Sequence, residues 1–264
     1  MNLMKWVKEN KEIIGIAVIL VCLLIVGTIY LQKVEYRLNE LNAQIITKSD
    51  IVKPTYEELK SHTVYVTGCA DSIEEQDKPS LPLGEKGMCW GGTGLIIKVT
   101  DIETYILTNN HVAGKETKNP IIFIENGNSK VQAELVKYHS YMDMAVMKIQ
   151  GKLEGKIPLT KISYASITDP IYIVGHPLYN KYVWTEGVVA GYTEDLSMLL
   201  QAPCIFGNSG SGVFNSKGEL VGLVYALQMY PGFLGMPMPQ ITHTVVVDSI
   251  FIKTFLHDLG LYND

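Results

Sequence analysis

Short strand-like runs fill most of the chain after residue 62, and they constrain the fold more than any other feature. They are rich in Val, Ile and Tyr, the residues that favour a pleated, half-buried strand. They form two series of six, separated by the stretch 151–161. The first series comprises 63–67, 93–99, 104–108, 121–124, 131–138 and 145–149, and the second comprises 171–175, 182–192, 198–201, 212–215, 220–226 and 242–247. We therefore predict an all-β fold of two six-stranded antiparallel barrels, the first within 55–160 and the second within 161–264, with a C-terminal helix over 249–259.

An uncharged run of 19 residues, 13–31, lies near the N-terminus and is long enough to cross a bilayer as a helix. A buried core helix is disfavoured because the run has no polar face. A cleaved signal peptide is the remaining alternative, but its apolar region would be unusually long and no small-x-small cleavage site follows it. We predict an uncleaved transmembrane helix that precedes the barrels.

The basic residues beside this run indicate its orientation. Three lysines precede the run and two basic residues follow it: Lys5, Lys8 and Lys11, then Lys33 and Arg37. Because positive charge favours the cytoplasmic side, we predict that residues 1–12 are cytoplasmic. The protein is then expected to be a single-pass protein of the cell membrane, with the barrels extracytoplasmic.

A stretch of helical texture follows the apolar run, and we assign 32–54 to a stalk and linker. Four apolar residues within 32–48 are spaced four, three and four apart, namely Val34, Leu38, Leu41 and Ile45. They form a seam of fewer than two heptads. This pattern is compatible with an oligomerising stalk, but a plain helical continuation of the anchor is the favoured interpretation. Thr55 and Glu58 then form a capping-box pattern, which predicts a short helix.

Charge and cysteine usage exclude several kinds of site. The formal net charge is −5 and no basic run occurs, so no nucleic-acid partner is expected. The four cysteines include no Cys-x-x-Cys pair, so we expect no metal site and no cofactor. Cys69 and Cys89 flank a polar stretch between two strand-like runs. They form either a disulfide, if this part of the chain faces outside, or two free buried thiols.

A serine held between glycines points to nucleophilic catalysis, in the sequence FGNSGSG at 206–212. Gly207 allows a tight turn whose backbone N–H groups converge on a developing oxyanion, and Gly210 leaves room for a substrate backbone. Ser209 needs an adjacent base to become a nucleophile. His111 in TNNHV (108–112) and Asp143 in MDMAV (142–146) lie upstream, in the order His, Asp, Ser of the chymotrypsin-type triad.

Several stretches resemble the trypsin-like serine peptidases, most closely the bacterial HtrA-type and V8-like branches. The catalytic blocks are ILTNNHV (106–112), DMAVMKI (143–149) and GNSGSG (207–212), and IVGHPL (173–178) and TEGVV (185–189) are similar to the second barrel of that family. The resemblance covers 63–259. It implies a chymotrypsin-like double barrel with the active site in the cleft between barrels. It also implies a serine endopeptidase that hydrolyses peptide bonds through an acyl-enzyme.

Residue chemistry gives each candidate a role. His111 is expected to take the proton of Ser209 as the serine attacks, while Asp143 orients the imidazole and stabilises its protonated form. The backbone N–H groups of Gly207 and Ser209 are expected to form the oxyanion hole. The expected partners are protein or peptide substrates. Four of the remaining histidines are expected to be solvated, namely His62, His139, His243 and His257. The fifth, His176, precedes a proline and is expected to make a structural hydrogen bond.

The sequence departs from the HtrA pattern in two places. Ser211 stands where HtrA-type chains usually have a second glycine, and Gly212 stands where they have a proline. V8-like chains tolerate a serine there, so the assignment of Ser209 is unaffected. We also expect no C-terminal PDZ domain, because the chain ends at Asp264, so the resemblance does not carry over the peptide-triggered activation of HtrA proteins.

Two other functions compete with a peptidase. An α/β-hydrolase is disfavoured because it requires Gly-x-Ser-x-Gly and the order Ser, acid, His. The alternative is an inactive protein of peptidase fold that binds partners at the membrane surface. The intact His-Asp-Ser pattern disfavours it. For a peptidase, the pocket walls at 201–206 and 223–227 carry no acidic residue, so a small or apolar P1 residue is expected. Contact between His243 and an acidic P1 residue is left open.

Overall fold

A computed structural model describes residues 23–25, 27–28, 30–38, 53–70, 88–114, 120–230 and 240–263. The chain divides into two compact units, Met1–Val52 and Lys53–Asp264. In the first unit the described residues are helical and their side chains are exposed. Within the described residues, no helix is long and apolar enough to cross a membrane. The predicted span 13–31 and the seam within 32–48 lie largely outside those residues.

The second unit opens with helix α1, Tyr56–His62, which begins at the predicted capping box. The Thr55 hydroxyl accepts the Glu58 N–H, and the Glu58 carboxylate accepts the Thr55 N–H. The first six strands follow: β1 Thr63–Ala70, β2 Met88–Val99, β3 Glu103–Thr108, β4 Ile121–Asn126, β5 Ser129–His139 and β6 Met144–Gln150. They close into an antiparallel barrel in the order β1-β2-β3-β6-β5-β4.

The next six strands close into a second antiparallel barrel, in the order β10-β11-β12-β9-β8-β7. They are β7 Pro170–Gly175, β8 Val183–Tyr192, β9 Met198–Gln201, β10 Gly212–Phe214, β11 Leu220–Tyr230 and β12 Gln240–Asp248. Helix α2, Ser249–Asp258, ends the fold, with the Asp248 side chain accepting the Ile250 N–H as its N-cap. The predicted fold of two six-stranded barrels and a C-terminal helix is confirmed. The domain boundaries that we assigned from the sequence stay a prediction.

Strand β3 is buried on both of its faces near its C-terminal end, and this burial packs the two barrels together. Ile106 and Leu107 are adjacent on β3, so their side chains point to opposite faces. Ile106 packs inside the first barrel. Leu107 packs instead in a cluster shared by both barrels and α2, which includes Phe214 and Ile252. Because this shared cluster is fully buried, the two barrels form one packed body with a cleft between their loops.

The β1–β2 hairpin carries a disulfide. Cys69 and Cys89 are directly opposite in the strand register. Their sulfur atoms are bonded, with the Cα atoms 4.1 Å apart. Of the two arrangements that the sequence allowed, the structure therefore contains the bridge. Cys204 is a buried free thiol, and burial raises its pKa to about 11.

Candidate active site

His111 and Asp143 are joined by two hydrogen bonds across the end of the first barrel. The imidazole Nδ1 of His111 lies 2.6 Å from Oδ2 of Asp143, and the His111 backbone N–H donates to Oδ1 at 3.0 Å. His111 lies in the turn that follows β3, and Asp143 immediately precedes β6. Because β3 and β6 are paired, the fold brings together two residues that are 32 positions apart.

The backbone at Asp143 is held in an unusual conformation. Its φ is +48°, in the left-handed region that non-glycine residues seldom adopt. The Asp143 carbonyl accepts the side-chain N–H of Asn109 at 2.9 Å and the backbone N–H of Asn110 at 3.2 Å. These bonds tie the Asp143 turn to the His111 turn. The carboxylate is 22% exposed and the imidazole 41% exposed, so the pair lies at a surface cleft and not in the core.

Trp90 supports the same turn from β2. Its indole N–H donates to the carbonyl of Val112 at 2.9 Å, next to His111 in the chain. The indole ring also covers Gly114, where an added Cβ would lie 2.7 Å from the ring. Sequence reasoning did not identify Trp90, and no local motif marks a hydrogen bond between residues 90 and 112.

The loop that carries Ser209 depends on two glycines with positive φ. Gly207 has φ +96° and Gly210 has φ +83°, which side chains other than glycine rarely tolerate. An added Cβ on Gly210 would collide with the Thr93 carbonyl oxygen. Within the part of the chain that the structure describes, neither the Gly207 N–H nor the Ser209 N–H donates a hydrogen bond. These are the two amides that the sequence assigned to an oxyanion hole.

One cavity joins the two barrels at this point. Its volume is about 320 Å³, and both His111 and Ser209 line it. The rest of its wall includes Ile205, Val224 and Leu227, so it is largely apolar. The structure thus brings His111 and Ser209 to one cleft. Asp143 is bonded to His111, and Gly207 lies two residues before Ser209 in the chain.

Two histidines outside the proposed triad are buried, one against expectation and one making the hydrogen bond expected of it. His62 was expected to be solvated, and this is wrong: it is buried at the end of α1, with Nδ1 3.0 Å from the Ile157 carbonyl oxygen. Burial lowers its pKa. His176 is also fully buried and makes the expected structural hydrogen bond, with Nδ1 3.1 Å from the Thr93 hydroxyl.

A family model described as a trypsin-like peptidase domain matches residues 92–223, half of the chain. The chain belongs to the trypsin-like peptidase family. The matched residues of this trypsin-like peptidase include the His111 turn, Asp143 and the Ser209 loop.

Similar proteins include bacterial HtrA-like proteases. This trypsin-like peptidase is 28% identical over 148 residues to the "Serine protease Do-like HtrA" of Lactococcus lactis, covering 50% of this chain and 36% of that protein. It is 28% identical over 182 residues to the "Serine protease HtrA-like" of Staphylococcus aureus strain USA300, covering 62% of this chain and 23% of that protein. The chain therefore spans only about a quarter to a third of the length of these curated relatives.

A solved structure shows the same fold. The serine endoprotease from Yersinia pestis superposes with a TM-score of 0.55 at 21% identity, covering 79% of this chain and 67% of that one. At this identity the likeness concerns the fold alone. It agrees with the double barrel of this trypsin-like peptidase.

Proposed function

We propose that this protein is a serine endopeptidase in which His111, Asp143 and Ser209 form the catalytic triad. The observation that carries the proposal is that His111, paired with Asp143 through Nδ1, and Ser209 line one cavity between the barrels. Membership of the trypsin-like peptidase family supports the same reaction class.

Each residue has a definite part in peptide hydrolysis. The Asp143 carboxylate accepts the Nδ1 proton of His111, which leaves Nε2 as the free base of the ring. Nε2 removes the hydroxyl proton of Ser209 as that oxygen attacks the peptide carbonyl, and then delivers the proton to the leaving amine. Water repeats the sequence on the acyl-enzyme and releases Ser209.

The amides of Gly207 and Ser209 stabilise the charge that develops on the substrate carbonyl oxygen. They are uncommitted to other groups among the described residues, so no existing bond must break when the oxyanion forms. Loss of one such donor typically lowers kcat by about 10²–10³-fold.

Replacement of either of two nearby serines tests the proposal on the full-length chain. Ser209→Ala is expected to lower kcat by on the order of 10⁶-fold, since the nucleophile is lost, and to abolish labelling by a fluorophosphonate probe. Ser211→Ala is the matched control, because Ser211 is fully buried in the same loop and its hydroxyl has no hydrogen-bond partner in the described residues. It is expected to keep activity within a few-fold of wild type. A Ser209→Ala variant that retains activity within tenfold would refute the triad, and a wild-type chain that neither cleaves peptides nor reacts with the probe is the inactive binding module.

The apolar cavity supports a small or apolar P1 residue. Among the described residues its lining carries no carboxylate that could pair with a basic P1 side chain. His243 lies on β12, with Nδ1 3.1 Å from the Gln228 side-chain oxygen, and does not line the described cavity wall. Cleavage of a peptide library is expected to show Val, Ala, Leu or Ile at P1, whereas a dominant Arg, Lys, Asp or Glu would contradict this choice.

We further propose that residues 13–31 anchor the protein in the cell membrane with residues 53–264 outside. The 19-residue apolar run supports the anchor. The Cys69–Cys89 disulfide supports the outward orientation, because disulfides persist mainly outside the cytosol. The oligomerising stalk within 32–48 stays a prediction.

A further inference from the structure

One buried threonine of the first barrel holds the serine loop of the second. Thr93 lies on β2 and is 0% exposed. Its backbone N–H donates to the Ser209 carbonyl at 2.8 Å, and its hydroxyl donates to the Gly207 carbonyl at 3.0 Å. Thr93 therefore fixes two carbonyls of the loop that contains the proposed nucleophile.

These contacts bear on the direction in which the oxyanion-hole amides point. The carbonyl before Gly207, that of Phe206, accepts the Leu178 N–H at 2.8 Å. In a trans peptide the C=O and N–H groups point in opposite directions, so this bond turns the Gly207 N–H away from Leu178. The Thr93 hydroxyl fixes the carbonyl on the other side of Gly207. The peptide plane before Gly207 is thus held by the Leu178 bond. The plane after it is held by the Thr93 hydroxyl and by the Asn208 N–H, which donates to the Ile205 carbonyl at 3.0 Å.

His176 orients the Thr93 hydroxyl. The His176 backbone N–H donates to the Thr93 hydroxyl oxygen at 3.2 Å, and the ring Nδ1 lies 3.1 Å from the same oxygen. A hydroxyl has a single proton, which Thr93 donates to Gly207. The arrangement that makes every contact a hydrogen bond therefore has the proton of His176 on Nδ1. Burial lowers the pKa of His176 to about 3, so the ring is neutral near pH 7 and that one proton is its only one.

We propose that Thr93 is a positioning residue for the oxyanion hole. Its hydroxyl, oriented by His176, holds the Gly207 carbonyl so that the amides of Gly207 and Ser209 face the place where the oxyanion develops. Thr93 acts through Gly207 and does not touch substrate, since it is fully buried. This inference rests on the proposed function and assigns the first barrel a role in transition-state stabilisation besides supplying His111 and Asp143.

Two substitutions of similar size separate this role from simple packing. Thr93→Val keeps the branched shape and removes the hydroxyl, which leaves the Gly207 carbonyl without its donor. Thr93→Ser keeps the hydroxyl and removes only a methyl group. Thr93→Val is expected to lower kcat by about 10- to 100-fold, less than the 10²–10³-fold typical of losing an oxyanion-hole donor outright. Thr93→Ser is expected to stay within about threefold of wild type, since it still forms the bond whose loss affects kcat.

The measurement is made on the full-length chain with a peptide that the wild type cleaves, and kcat is expressed per active site titrated with a fluorophosphonate. KM is expected to change less than about threefold, because the oxyanion exists in the transition state and not in the bound substrate. The affinity for a peptide boronic acid, which forms a tetrahedral adduct with the serine, is expected to weaken in proportion to kcat. A purely structural role would lower the fraction of titratable sites and leave kcat per site unchanged.

The outcomes are distinct. Equal kcat per site in Thr93→Val and wild type, or an equal fall in Thr93→Ser and Thr93→Val, would overturn the proposal. If Thr93→Val does not fold, His176→Phe removes the ring donor and keeps the backbone N–H, and kcat per site is expected to fall about 3- to 10-fold; no fall would overturn the proposal.

If the wild type itself is inactive, the proposed function fails and the positioning claim is judged by the amide NMR resonances of Gly207 and Ser209. These are expected to move in Thr93→Val and to stay in place in Thr93→Ser.

Discussion

His176 is buried between two tyrosine rings, with ring centroids 5.0 Å from Tyr65 and 4.8 Å from Tyr182. Burial lowers its pKa to about 3, and the positive charges of Lys156 and Lys181 add to the effect. The ordinary pKa of histidine, about 6.5, applies to the unfolded chain. Between these two values the unfolded chain binds a proton that the folded chain does not, so the free energy of unfolding falls as the pH falls.

The size of this dependence is a testable consequence. From about pH 6 down to about pH 3, His176 is expected to reduce the free energy of unfolding by about 1.4 kcal/mol per pH unit. Urea unfolding of wild type and His176→Gln at pH 7, 6, 5 and 4 measures it, and the variant is expected to show the flatter dependence. Parallel curves for the two proteins would show that the buried ring does not remain neutral.

The sequence predicted those parts of the site that lie in local motifs and missed those that depend on contacts between distant residues. Ser209, His111 and Asp143 each lie in a short pattern that marks a chemical role, and the structure brings them to one cleft. The part of Thr93 in this site could not be predicted, because its hydrogen bond to Gly207 spans 114 residues. The solvated state expected for His62 was wrong for the same reason, since the residues that bury it include Phe214 from the other barrel.

At the scale of elements, the β1–β2 hairpin links a covalent bond to the His111 turn. The pairing of β1 with β2 includes the Cys69–Cys89 pair. The next residue, Trp90, holds the Val112 carbonyl. The disulfide therefore closes the same strand pair that supports the turn of the proposed base.

Removal of this bridge is expected to destabilise the protein. Cys69→Ser together with Cys89→Ser should lower the free energy of unfolding by about 3 kcal/mol, the chain-entropy value for a loop of this length. Guanidinium unfolding of wild type and double variant measures the change. Wild type treated with dithiothreitol serves as the control and should match the double variant, which dithiothreitol should not destabilise further. Equal midpoints for oxidised and reduced wild type would contradict the expectation.

At the scale of the whole molecule, the local runs predicted the twelve strands found among the described residues, because each strand carries its own alternating or apolar pattern. The order in which the strands pair around each barrel is not contained in such local patterns. The pairing of β1 with β4 and of β3 with β6 joins elements that are not consecutive. The grouping of the runs into two series of six predicted two barrels, but no run identifies its non-consecutive partner. Residues 13–31, which matter most for location, lie largely outside the described residues.

Lysine labelling on intact cells tests the proposed topology. A membrane-impermeant amine reagent is expected to modify Lys152 and Lys217, which are exposed on the barrels. Lys5, Lys8 and Lys11 serve as internal controls and should react only after the cells are permeabilised. Labelling of the N-terminal lysines alone in intact cells would reverse the orientation. Absence of peptides from residues 1–12 in the membrane-bound protein would show instead that the apolar run is a cleaved signal peptide.

The bond between Cys69 and Cys89 also makes residues 69–89 a closed covalent ring. A single hydrolysed peptide bond inside this ring produces two polypeptides that remain one molecule, heavier than before only by the water added. Such a nicked protein migrates as an intact chain until a reductant separates its parts. If one copy of this protein cleaves another copy within the ring, the cleavage is therefore detected by electrophoresis only after the disulfide is reduced.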